Sequence, residues 1–155
     1  MKKYVGALFM FLLIISGAQA QIHAPDGLRM PGDWNSFSNS LGMGGDFDLS
    51  LISTGERRWQ TSFQFTGTTG SQSFKFASGG SGNPWANQWA AHNFSGVNSL
   101  ESVGYTTNGG SSNNTISLTQ NKYYTVNWED NGYTTTNVIF METSSAPVTF
   151  SSVTD

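Results

Sequence analysis

The stretch from Trp59 to Phe65 restricts the fold of this chain more than any other. Trp59, Thr61, Phe63 and Phe65 alternate with Gln60, Ser62 and Gln64. A two-residue period puts one set on each face of a strand, so the aromatic face must be covered and the amide face stays wet. Tyr123–Trp128 repeats the pattern, with Tyr124, Val126 and Trp128 on one side and Tyr123, Thr125 and Asn127 on the other. No stretch holds a helical period beyond a turn or two, so the cover has to come from other strands.

Shorter candidates supply them. Gly27–Pro31 predicts a first strand ended by Pro31-Gly32, and Phe47–Ile52 a second with Phe47, Leu49 and Leu51 on one face. Gly67-Thr68-Thr69-Gly70 turns the chain into Ser73–Ala77, so Trp59–Phe65 and Ser73–Ala77 are expected to form a β-hairpin with their Phe residues inward. Leu100–Thr106, Asn114–Thr119, Asn137–Glu142 and Val148–Val153 complete the set. Short strands with turn signals roughly every ten residues predict an all-β, antiparallel β-sandwich of seven to nine strands.

The start of the chain is of another kind. Lys2 and Lys3 precede an apolar run from Val5 to Ile15, followed by Ala18-Gln19-Ala20. This reads as a secretory signal over residues 1–20 with an A-x-A cleavage site, and the run is too short for a membrane-spanning helix. Residues 21–155 then form one domain, exported to the extracellular space, the cell surface or the periplasm, with no membrane span in the mature chain. Because the last expected strand runs almost to Asp155, the domain is expected to be the front module of a longer secreted protein or a fragment of one.

Loss of Lys2 and Lys3 takes the formal net charge from −3 to −5. That balance argues against a nucleic-acid partner, which wants a basic face. Only 11% of residues are charged, so Ser, Thr, Asn, Gln and Gly supply the polarity and suit a ligand held by neutral hydrogen bonds. The absence of cysteine removes thiol nucleophiles and cysteine-based metal sites.

The candidate site is the stretch Ser73–Trp89. Phe74 and Phe76 flank Lys75 in a strand, and a Gly/Ser/Asn loop then delivers Trp85 and Trp89. A glycine-rich loop keeps its backbone near water, so both indoles are expected to be exposed beside a lysine and several amides. The bland alternative folds the pair back to cap one end of the sandwich. Trp34 is expected beneath the first turn, with Asn35 holding that turn, and Trp59 and Trp128 in the core.

The order of these motifs resembles a known family. Gly32-Asp33-Trp34-Asn35-Ser36-Phe37 is similar to the G-x-F/W-N-x-W turn of the glycogen- and starch-binding modules. Those are small immunoglobulin-like β-sandwiches attached to amylases, branching enzymes and the β subunit of AMP-activated kinase. An aromatic strand, a glycine turn, a Y-K-F strand and a Gly-rich loop with a tryptophan follow in that family. Here the same order reads Trp59–Phe65, Gly67–Gly70, Phe74-Lys75-Phe76 and Trp85. Thr136-Asn137-Val138-Ile139 resembles the family's late asparagine turn. The resemblance covers Gly27–Trp89 and, more loosely, Thr134–Glu142, and it leaves Phe94–Lys122 unexplained. It implies an immunoglobulin-like fold in which Phe37 and Trp85 stack on glucose rings while Lys75 and Asn137 bond hydroxyls. Phe37 stands where the family usually has Trp, and Trp89 is an additional aromatic that competes with Trp85 for the stacking role.

The functional expectation is therefore a non-catalytic module that binds a polysaccharide or oligosaccharide, an α-glucan such as starch or glycogen, with no cofactor or metal. Its site residues are Phe37, Lys75, Trp85, Trp89 and Asn137. A pyranose offers an apolar C–H face to aromatic rings and a hydroxyl rim to Lys and Asn. The alternative is a structural or adhesive module whose loop aromatics meet another domain. An enzymatic reading would need two carboxylates flanking one cleft, and Asp46, Asp48, Glu56, Glu101 and Glu129 are the available groups. Glu129-Asp130 reads as a solvated turn. Asp46-Phe47-Asp48 and Glu129-Asp130-Asn131 carry oxygen ligands that Ca²⁺ accepts, though ordinary turns have the same composition. His23 and His92 have no companion ligand at metal spacing.

Overall fold

The computed structural model describes residues 22, 26–40, 48–53, 58–107, 110 and 112–143. The expected signal segment, Phe47, His23, Asp46, Glu56 and the strand expected at Val148–Val153 lie outside them. Among the described residues there are eleven strands: β1 (Leu28–Arg29), β2 (Asp48–Ser53), β3 (Arg58–Gln64), β4 (Gly70–Phe74), β5 (Phe76–Ser78), β6 (Asn87–Trp89), β7 (Leu100–Val103), β8 (Tyr105–Thr107), β9 (Asn114–Leu118), β10 (Tyr123–Glu129) and β11 (Thr136–Thr143). The fold is all-β, with antiparallel pairing between every pair of neighbouring strands. No helix among the described residues is long and apolar enough to cross a membrane.

Nine strands form one sheet in the order β7-β11-β10-β3-β2-β1-β5-β6-β8, and β4 pairs with β9. The two ends of that order, β7 and β8, are separated in sequence by Gly104 alone. The sheet is therefore folded back on itself, with segment 100–107 bordering both halves. Rings from the two halves meet across the interior. Trp89 of β6 lies edge-on to Trp128 of β10 at 5.0 Å, and Phe76 of β5 faces Phe140 of β11 at 6.4 Å. The aromatic faces of β3 and β10 are realised as read, with Trp59, Phe63, Tyr124, Val126 and Trp128 buried, but on the opposite face Ser62 and Thr125 are buried too, Thr125 Oγ1 donating to Ser62 Oγ.

The expected hairpin does not form. β3 pairs with β2 and β10, whereas Ser73–Ala77 is split at Lys75 between β4 and β5. β4 pairs with β9, and β5 pairs with β1 and β6. A tight hairpin needs a two-residue primed turn. Here Phe65 stays tied to the β10 side, its N–H donating to Lys122 O at 2.9 Å and its carbonyl accepting from Asn121 N at 2.7 Å. The chain beyond it is free to cross to the other layer. The strand count exceeds the expected range because such splits divide long strands.

The first turn packs against β4. Asn35 Oδ1 accepts the Gly32 N–H at 2.9 Å, and Trp34 Nε1 donates to Met30 O at 2.8 Å. The Trp34 ring sits 5.3 Å from Phe74. A Cβ at Gly32 would fall 2.7 Å from Phe74 Cβ, so only glycine allows this approach.

Glu129-Asp130 is not a solvated turn. Asp130 is buried, and its carboxylate accepts from Ile22 N, from Trp59 Nε1 at 2.9 Å and from Gly132 N at 2.9 Å. Three N–H donors occupy oxygens that the sequence left open for water or Ca²⁺. They staple buried Ile22 to the end of β10.

Candidate functional site

β5 and β6 run side by side with Ala77 opposite Gln88, and the loop between them holds Trp85. Lys75, at the kink before β5, is buried, and its backbone N–H donates to Pro31 O. Its ammonium donates to Gln88 Oε1 at 3.0 Å and to Gly110 O at 2.6 Å, and sits 6.0 Å over the Trp85 ring. Gln88 Nε2 donates back to Trp85 O at 2.9 Å. The result is a closed relay of lysine, glutamine and tryptophan. Trp85 remains half-buried, so part of the indole meets water. Burial lowers the Lys75 pKa from its ordinary value, and cation–π contact with the indole favours the charged form. Two of the three ammonium donors are used among the described residues.

The loop is anchored from beneath. Arg29 in β1 is buried and donates to four oxygens: Asn39 Oδ1 at 2.6 Å, Asp26 O at 2.6 Å, Gly79 O at 3.1 Å and Pro84 O at 3.1 Å. Burial pulls its guanidinium below the ordinary value, while Asp48 and Asp26 pull it back. Asn39 Nδ2 donates to Pro84 O as well, at 2.8 Å. A Cβ at Gly79 would stand 2.3 Å from Asn83 O, so the loop closes this tightly only around glycine. Trp85 therefore stands on a clamped platform. Beside it Tyr105 donates its hydroxyl to Asn87 Oδ1 at 2.8 Å, and burial keeps that phenol's pKa above its usual value.

The expected site residues separate. Lys75 and Trp85 come together. Trp89 does not join them: it is fully buried in β6, donates Nε1 to Thr134 O at 2.7 Å, and packs on Trp128, Tyr105 and Tyr133. The expectation of an exposed Trp89 is corrected because the glycine-rich loop ends before it. Strand pairing with Phe76 on one side and Tyr105 on the other turns its side chain inward. Phe37 is half-buried in a left-handed turn, φ 57°, and its N–H donates to Gly32 O. Asn39, two residues on, reaches the Trp85 loop through Pro84 O. Asn137 lies elsewhere, on the outer face of β11, bonded to Glu129 and Ser102.

Arg29, Asn39 and Gln88 were missed by sequence reasoning. A signal existed for Arg29: a cation between Leu28 and Met30, in a chain with few cations, is out of place on an apolar strand. Of the carboxylates considered for catalysis, Glu101 and Glu129 have other partners. Glu101 accepts from Ser95 N and Oγ and meets His92 Nε2 at 2.7 Å. Burial pushes its pKa up, but the bonds from Ser95 and His92 outweigh that and hold it below the ordinary value. Glu129 accepts from Asn137.

Comparison with protein-family models, with characterised proteins and with solved structures returns no match.

Proposed function

We propose that this chain is a secreted, non-catalytic carbohydrate-binding module that holds α-glucan chains on the open part of Trp85, with Lys75 donating to sugar hydroxyls. The observation that supports it is the Lys75–Gln88–Trp85 relay on a loop clamped by Arg29. A rigid, half-wet indole loses little entropy when a pyranose covers it, and the fixed ammonium supplies orientation. In this reading Trp89 is scaffold, and Asn137 and Phe37 are not part of the Trp85 site. The signal segment would deliver the module outside the cytoplasm, where it keeps an attached domain or the cell near its polysaccharide.

Affinity electrophoresis tests the reading. Soluble starch or glycogen in the gel is expected to retard the wild type, and Trp85→Ala is expected to migrate as in an empty gel while melting as the wild type does. Absence of retardation by either glucan, with the fold intact, would leave the loop as a contact surface for a neighbouring domain.

A further inference from the structure

Alternate residues of β3, β10, β11 and β7 point away from the core, and the strand registers align them in rows. Gln60 pairs with Asn127, Asn127 with Ile139, and Ile139 with Leu100. In the next row Arg58 pairs with Glu129, and Asn137 with Ser102. All of these except Ser102 line an open groove of about 600 Å³, in the size range of small-molecule sites.

Its amides are held in place. Gln60 Nε2 donates to Asn127 Oδ1. Asn137 Nδ2 donates to Glu129 Oε2 at 2.6 Å, and Asn137 Oδ1 accepts from Ser102 Oγ at 2.7 Å. Asn127 Nδ2 reaches only the Met141 sulfur, at 3.9 Å, a weak acceptor. Each amide is thus oriented by a neighbour and, among the described residues, keeps unused capacity: the Gln60 carbonyl, the Asn127 amino group, one Asn137 N–H. Two hydrogen-bonded sets, Gln60–Asn127 and Ser102–Asn137–Glu129, lie in adjacent rows of this face.

We propose that this groove is a second binding site, separate from Trp85, for a neutral polyhydroxylated chain, a linear oligosaccharide. A hydroxyl donates and accepts at once, which matches a row of side-chain amides offering both. Arg58 and Glu129 oppose each other, so the groove has no field of one sign to select an ion. Leu100, which is 68% exposed, and half-buried Ile139 give aliphatic surface for the C–H faces of a sugar. Strand spacing of about 4.8 Å sets successive contacts at intervals comparable with one sugar ring. Tyr123, half-buried on the same face of β10, adds an aromatic ring further along. A protein partner would want a cluster of apolar anchors, and Leu100 is the single exposed large hydrophobic among the described residues.

The test is NMR on the ¹⁵N-labelled chain, with maltohexaose and cellohexaose as probes. The side-chain amide signals of Gln60, Asn127 and Asn137 are expected to shift with at least one of them. Asn127→Leu, which keeps the bulk, and the double variant Gln60→Ala with Asn127→Ala are expected to weaken that response about tenfold, while the Trp85 indole signal responds as before. Amide signals that stay fixed at millimolar levels of both sugars overturn the proposal. So do signals that move with protein concentration alone, since they mark a second copy as the occupant. Response of Trp85 without the amides removes only this second site, and response of the amides with a Trp85 indole signal that stays fixed removes only the first.

Discussion

Trp85 and Trp89 are four residues apart, and their surroundings are opposite. Trp89 is in a strand with paired neighbours on both sides and three aromatic rings against it. Trp85 is in a loop with a lysine over one part of its ring and water over another. The difference follows from where strand pairing resumes. At Asn87 the backbone finds partners in β5 and β8, and the pleat then decides which side chain turns inward. Before Asn87 the backbone is satisfied by its own turns and by Arg29, and the side chain stays at the surface. One indole builds the domain and the other stays partly open at the surface.

Trp89→Ala breaks the scaffold side of this contrast and has the largest expected effect. Removing a fully buried indole costs about 3–5 kcal/mol, read as a collapse of the melting temperature or loss of soluble protein. Arg29→Met comes next. It takes the Arg29 donor from Gly79 O, Asp26 O and Asn39 Oδ1, at about 2–4 kcal/mol in total, and it should also abolish glucan retardation by freeing the loop. Chemical denaturation reads the first effect and affinity electrophoresis the second. Full glucan binding by a folded Arg29→Met would show that the clamp is not what positions Trp85.

Smaller changes sharpen the contrast. Gly79→Ala drives a methyl against Asn83 O and should cost about 1–3 kcal/mol, with glucan affinity falling in step. Trp85→Ala should change stability by less than about 1 kcal/mol and still remove glucan binding, the reverse of Trp89→Ala. The smallest effect is at Glu101. Its folded pKa lies below its unfolded value, so its contribution is present above the ordinary glutamate range and is lost as pH falls through the folded value. Glu101→Gln should therefore flatten the acid side of a melting-temperature profile against pH and leave glucan binding alone.

The sequence made the scaffold more legible than the site. The two-residue periods of Trp59–Phe65 and Tyr123–Trp128 are local, so β3 and β10 and their buried faces were readable directly. The partner of β3 was not, because pairing depends on whether a connection turns back or crosses layers. That is decided at Phe65 by bonds to Asn121 and Lys122, far along the chain. The proximity of Lys75 and Trp85 was readable from their shared segment. The fate of Trp89 depended on β8, which arrives sixteen residues later opposite it at Tyr105. Asn137 was placed by analogy of order and proved to be on another face. Asp130 and Arg29 look like ordinary turn and strand charges until the distant groups they bind are known.

The proposed function requires Trp85 to be the surface that a glucan covers. The direct measurement is the set of indole N–H signals of the ¹⁵N-labelled protein during titration with maltohexaose, assigned with Trp85→Phe. The Trp85 signal should move in a saturable way while the Trp89 signal, locked to Thr134 O, stays in place. A Trp85 signal that remains fixed up to millimolar maltohexaose, in a protein whose other signals show it folded, would contradict the account.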